Sequence, residues 1–313
     1  MKFAALGRTK WLYKTIEHLI VCGHQPVLIG TSPAAPEYEV DQDDFRVLAE
    51  RTGCPFFCDP KINNPAVSDL IGKSRAEVAV SVNWVSTIPN ETLDLFPYGI
   101  LNAHLGDLPR YRGNATPNWA ILNGECKIVL CIHQMSEELD QGPVLLKRDL
   151  RIDKTTYIKD IYSFMEINIP LMFAEALTGL ESGRLAFQPQ PTDPSLSLRC
   201  FPRTPEDGLI DWTHSAEQIH RLIRASSEPF KGAYTYLNQT RITVWRGRCG
   251  ELPYPWLGVP GQVAFVDKEK SEVTVLTGSG VIILETVETE QEGVVPPAKI
   301  IKSTRVRLGP PVR

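Results

Sequence analysis

The apolar positions of this chain change period several times in its first half. KFAAL at 2–6 is a short apolar run broken by Gly7, the pattern of a buried strand. From 11 to 22 the apolar residues fall at Trp11, Leu12, Ile16, Leu19 and Ile20, a helical period that stops at Gly23. QPVLIGT at 25–31 predicts the next strand, and a strand–helix–strand opening implies a parallel sheet. Helices are predicted over 45–52 and 65–72, followed by EVAVSVNW at 77–84, a near-continuous apolar run suited to a strand buried on both faces. A helix start at Asn90, a strand over 98–104, a helix over 118–124 and a strand over 128–135 follow. A long helical pattern then covers 158–180 and closes at Gly183.

The rhythm changes after the proline-rich stretch QPQPTDPSLS at 188–197. A helix is predicted over 215–225, and then PFKGAYTYL, RITVWRGR, GQVAFVD, EVTVLTG and GVIILETVE read as short strands separated by Gly, Lys or Ser turns. So many short strands in so little chain predict a small barrel. The expected fold is therefore α/β, with a Rossmann-like parallel-sheet domain over 1–190. A linker over 191–203 and a small OB-like β-barrel domain over 204–313 complete it.

Composition adds constraints. A chain of 313 residues suits two domains, and 42% hydrophobic with 22% charged residues describes an ordinary globular protein. The net charge of -4 gives no sign of the basic face that grips a polyanion. Seven cysteines, an odd number with no C-x-x-C pair, are expected to be reduced thiols. Arg8, Lys10, Lys14 and Glu17 interrupt any signal-like apolar run, and no stretch approaches the roughly 18 apolar residues of a membrane span, so the expected compartment is the cytoplasm. Gly7 stands alone before Arg8 and Thr9, without the G-x-G-x-x-G fingerprint, which disfavours a nicotinamide-dependent oxidoreductase.

Candidate chemistry gathers between 99 and 142. Asn102 and His104 are two apart on a predicted strand and so share a face, and Asp140 lies in a turn beside Gln141 and Gly142. Taken singly, His104 reads as a structural histidine and Asp140 as a turn residue. Together an amide can donate to an oxyanion, an imidazole can accept a proton and a carboxylate can orient it, which suits acyl transfer to an amine. LPRYRGNATP at 108–117 is either an irregular loop whose arginines brace the fold or a rigid wall of a cleft.

With these residues in view, the chain resembles the 10-formyltetrahydrofolate-dependent formyltransferases, which include methionyl-tRNA formyltransferase and nucleotide-amino-sugar N-formyltransferases. The resemblance rests on Asn102-Ala103-His104, on Leu108-Pro109-Arg110-Tyr111-Arg112-Gly113 and on Asp140-Gln141-Gly142-Pro143-Val144, in that order. RTPEDGLIDW, LIRASSEPFKGAYTYL and LETVETEQEG resemble the C-terminal domain of that family. The resemblance implies that Asn102 stabilises the oxyanion, His104 moves the proton and Asp140 orients His104. It further implies that the pterin lies along the backbone of Ser86, Thr87 and Ile88 and of Ser136, Glu137, Glu138, Leu139 and Asp140. No metal is implied, and the folate is a consumed donor. Leu105-Gly106-Asp107 departs from the serine and leucine that many members carry after the histidine, so Asp107 is either a substrate contact or a loop brace. Asn114 replaces an arginine of some relatives, which puts that folate contact in question.

For the acceptor, the resemblance offers two readings. The tRNA enzymes carry a basic loop after the second strand, whereas SPAAPEYEVDQDD at 32–44 is acidic and would oppose a phosphate backbone. NATPNWAILNGE at 114–125 is similar to the amino-sugar enzymes. The expectation is formyl transfer to the primary amine of a nucleotide-linked amino sugar, with no nucleic-acid or membrane partner and with a homodimer possible by analogy. Arg8, Thr9, Lys10 and Trp11 are then candidates to meet the diphosphate and base, with Asp107, Arg110 and Tyr111 as further substrate contacts. Methionyl-tRNA formylation, formyltetrahydrofolate hydrolysis and a non-catalytic folate binder are the alternatives.

Overall fold

In the computed structural model, which describes residues 1–35 and 38–310, the apolar runs of the first half form one sheet. Its strands are β1 (Lys2–Gly7), β2 (Gln25–Thr31), β3 (Phe56–Cys58), β4 (Val78–Val82), β5 (Ile100–Leu105), β7 (Lys127–Gln134) and β8 (Val144–Arg151). They lie in the order β3-β2-β1-β4-β5-β7-β8. The helices of this part are α1 (Thr9–Val21), α2 (Gln42–Thr52), α3 (Pro65–Ser74), the short α4 (Asn90–Leu93), α5 (Thr116–Leu122) and α6 (Ile158–Glu181). Phe3, Ala4, Ala5 and Leu6 have no exposed surface because β1 is central, and Leu12, Ile16 and Leu19 of α1 are equally enclosed. α2 starts on a capping box in which Asp41 accepts from Asp43 N and Asp44 N while Asp44 reaches back. Two of the acids that make segment 38–44 acidic therefore hold a helix end. Glu37, another member of that acidic stretch, lies outside the described residues.

The parallel pairing that the opening pattern implies is present, and one antiparallel strand joins it. β1 to β5 pair in parallel, but β7 runs antiparallel to β5. Parallel neighbours need a crossover, usually a helix laid across the sheet. The chain between β5 and β7 contains only the LPRYRG loop, the two-residue β6 (Arg112–Gly113) and α5, whose residues from Pro117 onward belong to a second compact unit. With no crossover on the sheet, the strand returns antiparallel.

The chain divides into two compact units, one comprising residues 1–116, 127–150 and 162–200, the other 117–126, 151–161 and 201–313. In the second, α7 (Ala216–Ser226) precedes β10 (Ala233–Leu237), β11 (Thr240–Gly250), β12 (Val263–Asp267), β13 (Glu272–Leu276), β14 (Val281–Thr289), β15 (Gly293–Val295) and β16 (Leu308–Gly309). The order β12-β13-β14-β11-β10-β16 is an antiparallel half-barrel whose ends meet at one isolated bridge, Gln262 with Arg307. Ile219 and Ile223 of α7 pack with Val244, Val275 and Leu284 in its core. No helix among the described residues is long and apolar enough to cross a membrane.

Gly7 ends β1 at φ +148, and a Cβ there would stand 2.1 Å from Val82 O of β4. Because Val82 O is backbone and also accepts from Arg8 N, it has no freedom to retreat. Gly7→Ala is expected to destabilise the protein by more than about 1 kcal/mol, read as a shift of the urea midpoint at unchanged m.

Candidate active site

The register of β5 decides which side chains reach the strand ends. Ser81 of β4 pairs with Asn102, so His104, two residues on, projects past the last residue of its parallel neighbour. Active groups of open α/β sheets collect at such ends. On the other side of β5, the antiparallel pairing sets Asn102 opposite His133 and His104 opposite Cys131. Asn102 Nδ2 donates to His133 Nε2 at 3.2 Å, and His133 Nδ1 donates to Gln134 O at 2.9 Å. That second bond leaves Nε2 as an acceptor, which fixes which end of the Asn102 amide faces the ring. The remaining N–H of Asn102 is then presented away from His133.

His133 is 1% exposed. Burial lowers its pKa, the nearby His104 lowers it further, and Asp140 opposes both, so the ring is held neutral. The sequence does not single this residue out, and it falls only within the strand predicted over 128–135. The signal present was a histidine near the end of an otherwise apolar buried strand.

His104 is fixed from the other side. Its Nε2–H donates to Tyr111 O at 2.6 Å, and Tyr111 turns its carbonyl inward by adopting φ +60. Gly106 makes room, since a Cβ there would stand 2.4 Å from Tyr111 O and 2.7 Å from His104 Nε2. His104 Nδ1 faces Asp140 Oδ2 at 3.6 Å, within ion-pair range but longer than a hydrogen bond. Asp140 Oδ2 accepts from Gly113 N at 2.7 Å, and Oδ1 lies 3.6 Å from His133 Nε2. The carboxylate, 9% exposed, thus stands between two imidazoles. The three expected groups come together, with the Tyr111 carbonyl aiming the His104 ring and Asp140 supplying charge.

Of the two stretches expected to meet a pterin, 136–140 is bonded to the start of α4, two residues beyond the other, because Asn90 Nδ2 donates to Glu137 Oε2 at 2.8 Å. Ser86 Oγ donates to Pro60 O and accepts from Trp84 Nε1, Ile88 is buried, and Thr87 is exposed. Ser136 Oγ donates to Glu138 O, while Glu138 and Leu139 face outward. Asn114 is exposed, and its N–H donates to Cys200 O at 3.1 Å.

In the β1–α1 loop, Arg8 stacks on the Tyr38 ring at 5.2 Å, and Thr9 has φ +79. Arg8 Nε and Thr9 Oγ1 are buried with no hydrogen-bond partner among the described residues. Lys10 is held by Glu39 at 2.9 Å and Glu166 at 3.1 Å, and Trp11 packs edge-on against Tyr162 at 5.2 Å. Asp107 pairs with Lys147 at 2.8 Å. Arg110 is exposed and stacks on the Tyr111 ring, whereas that ring itself is 4% exposed. Tyr111, expected as a substrate contact, has an enclosed side chain and a carbonyl that accepts from His104.

The lowered His133 pKa carries a sign for stability. A base whose folded pKa lies below its unfolded value leaves the unfolded chain binding more protons, so stability is complete above about pH 6.5 and falls as pH drops below it. His24 and His220 are lowered by burial in the same direction, so the test is a difference between two proteins. His133→Met is expected to be less stable at pH 7 by about 1–3 kcal/mol, from the unpaired Asn102 amide. The deficit is expected to shrink by up to about 1.4 kcal/mol per pH unit below pH 6.5, read from urea midpoints at pH 7 and pH 5. Parallel curves would show that His133 takes up its proton as readily in the folded chain.

Comparison with known proteins fits this architecture. The family described as Formyl transferase matches residues 1–168, and Formyl transferase, C-terminal domain, matches residues 203–305. The methionyl-tRNA formyltransferase of Geotalea daltonii is 29% identical over 99% of this chain and 97% of its own length. That of Pelobacter propionicus is 32% identical over 88% of this chain and 85% of its own. Among solved structures, the N-formyltransferase from Helicobacter canadensis in complex with folinic acid and dTDP-3-aminofucose aligns with TM-score 0.66 at 13% identity, covering 91% of this chain and 98% of that one. HypX from Aquifex aeolicus aligns with TM-score 0.59 at 18% identity, over 97% of this chain and 49% of that one. The family match spans both halves of the sequence, and the chain belongs to the formyl transferase family.

Proposed function

We propose that this enzyme transfers the formyl group of 10-formyltetrahydrofolate to the primary amine of a nucleotide-linked amino sugar, with Asn102, His104 and Asp140 as the catalytic residues. The amine attacks the formyl carbon, and the developing oxyanion accepts the Asn102 N–H that His133 does not use. The proton lost by the amine passes to His104 Nδ1, beside Asp140, and returns to the folate nitrogen as the carbon–nitrogen bond breaks. The stretches 86–88 and 136–140 offer the backbone along which the pterin would lie.

The choice of acceptor rests on charge. Lys10, in the first turn of α1, is neutralised by Glu39 and Glu166, and Glu39, Asp41, Asp43 and Asp44 follow β2 where the tRNA enzymes are basic. Residues 201–313 hold fourteen Lys and Arg against thirteen Asp and Glu, so this part carries no marked basic excess. Gripping an acceptor stem requires several cations on phosphates. A single diphosphate asks for far less, and the unmet Arg8 Nε and Thr9 Oγ1 at the start of α1 are donors of the kind it would need.

Methionyl-tRNA is the second reading, and similarity to named relatives favours it more directly. Methionyl-tRNA formyltransferases are 27–32% identical over 85–99% of this chain, across both domains. Incubating the protein with 10-formyltetrahydrofolate and, in parallel, methionyl-tRNA or a panel of nucleotide amino sugars separates the readings by mass gain on the acceptor. Formylation of methionyl-tRNA with no amino sugar modified would overturn the first. Formate release without any amine would point to hydrolysis. Whichever acceptor reacts, His104→Ala is expected to lower kcat by about 10²–10⁴-fold, whereas a folate binder would bind folate unchanged and have no turnover to lose.

A further inference from the structure

Asp140 is a non-glycine residue at φ +54, and its carboxylate must stay within reach of His104 and Gly113 N. A left-handed conformer of this kind persists only where the surroundings hold it. Its neighbours in sequence supply part of the hold, since Gly142 packs so closely on Gln134 O that a Cβ would stand 1.9 Å away. The rest comes from fifty residues on. Gln190 Nε2 donates to Asp140 O at 2.8 Å and to Gly142 O at 2.7 Å, and Gln190 Oε1 accepts from Arg112 Nη2 at 2.6 Å.

Arg112 belongs to the loop that presents Gly113 N to the Asp140 carboxylate. That loop is itself paired to the same connector, through β6 with β9 (Arg199–Cys200) and through Arg112 Nη1 to Ser197 Oγ. One amide therefore joins the loop that carries the Asp140 backbone to the loop that satisfies its side chain. Two donors and an acceptor on one planar head group is what these three partners require, and a glutamine amide supplies it. A polar cavity of about 330 Å³, lined by Arg112, Gln141, Gln190 and Ser197, adjoins the contact and leaves the turn room to shift if the amide is lost.

We propose that Gln190 is a positioning residue for formyl transfer: its side-chain amide holds Asp140 in the left-handed turn that aims the carboxylate at His104. The kinetic consequence rests on the formyl-transfer reading, while the geometric one does not. Gln190→Met keeps the volume and removes all three hydrogen bonds, and Gln190→Glu keeps the Arg112 contact but loses both donors to the turn.

Both variants are expected to lower kcat about 10–100-fold with the acceptor KM unchanged, the penalty of a misplaced group. Both are also expected to move the ¹⁵N resonances of the His104 ring in the protein without substrate. In an Asp140→Asn background, Gln190→Met is expected to cost little more, because both changes remove one effect. Unmoved His104 resonances in both variants would overturn the proposal, as would a kcat loss that adds in full to that of Asp140→Asn. A moved resonance upholds the geometric hold even if no acceptor is formylated, so the two readings fail separately.

Discussion

A carboxylate that is nearly enclosed must be satisfied by hydrogen bonds or charge, and the N-terminal domain is arranged around meeting that demand for Asp140. Its Oδ2 takes the Gly113 N–H, and each oxygen faces an imidazole at 3.6 Å. Two imidazoles so close to each other cannot readily both be cations in a buried site. The environment separates them: His133 is deeper, loses its proton to burial and to the neighbouring His104, and stays neutral. A neutral His133 can accept from Asn102, and that is how the amide comes to be oriented. His104, buried as well, keeps its Nδ1 beside Asp140 Oδ2. One buried carboxyl group thus faces an imidazole held by the Asn102 amide on one side and the His104 imidazole on the other.

The reversal of β7 is what makes this possible. In a sheet parallel throughout, the end of β7 would leave beside the end of β5, and the residues facing Asn102 would come from mid-strand. Antiparallel pairing instead brings His133, one residue before the end of β7, level with Asn102, and the chain then turns at once into the loop that carries Asp140. The seven residues from His133 to Asp140 are long enough to double back and short enough to keep both ends at the site. The LPRYRG loop closes the arrangement from the β5 side, giving a carbonyl to His104 at Tyr111 and an N–H to Asp140 at Gly113.

Much of this was legible in the sequence. The 25–31 strand and the long helix from 158 follow their apolar periods closely, and Asn102, His104 and Asp140 are recognisable from residue type and spacing. β3 escaped notice because it is three residues long and only partly buried, too short for a period to show. The β7 direction was hidden because strand direction depends on whether a crossover covers the sheet, which no local pattern reports. Tyr111 reads as a substrate contact, and the sequence gives no sign that its backbone carbonyl accepts from His104 at a residue with positive φ. Lys147, forty residues beyond Asp107, is the ion-pair partner of that side chain. What the sequence hides here are partnerships of the backbone and pairs distant along the chain.

The same distinction bears on how the two catalytic loops stay in register. Asn102 and His104 are placed by strand pairing, which many hydrogen bonds share, so no single side chain outside the sheet is critical to them. Asp140 has no such support, because it lies in a turn, in a conformation that costs energy for any residue with a Cβ. Its position therefore depends on a few identifiable contacts: the Gly113 N–H, the close packing of Gly142, and the amide of Gln190. A connector that passes for a simple proline-rich boundary in the sequence is in the fold part of the apparatus that keeps the carboxylate aimed.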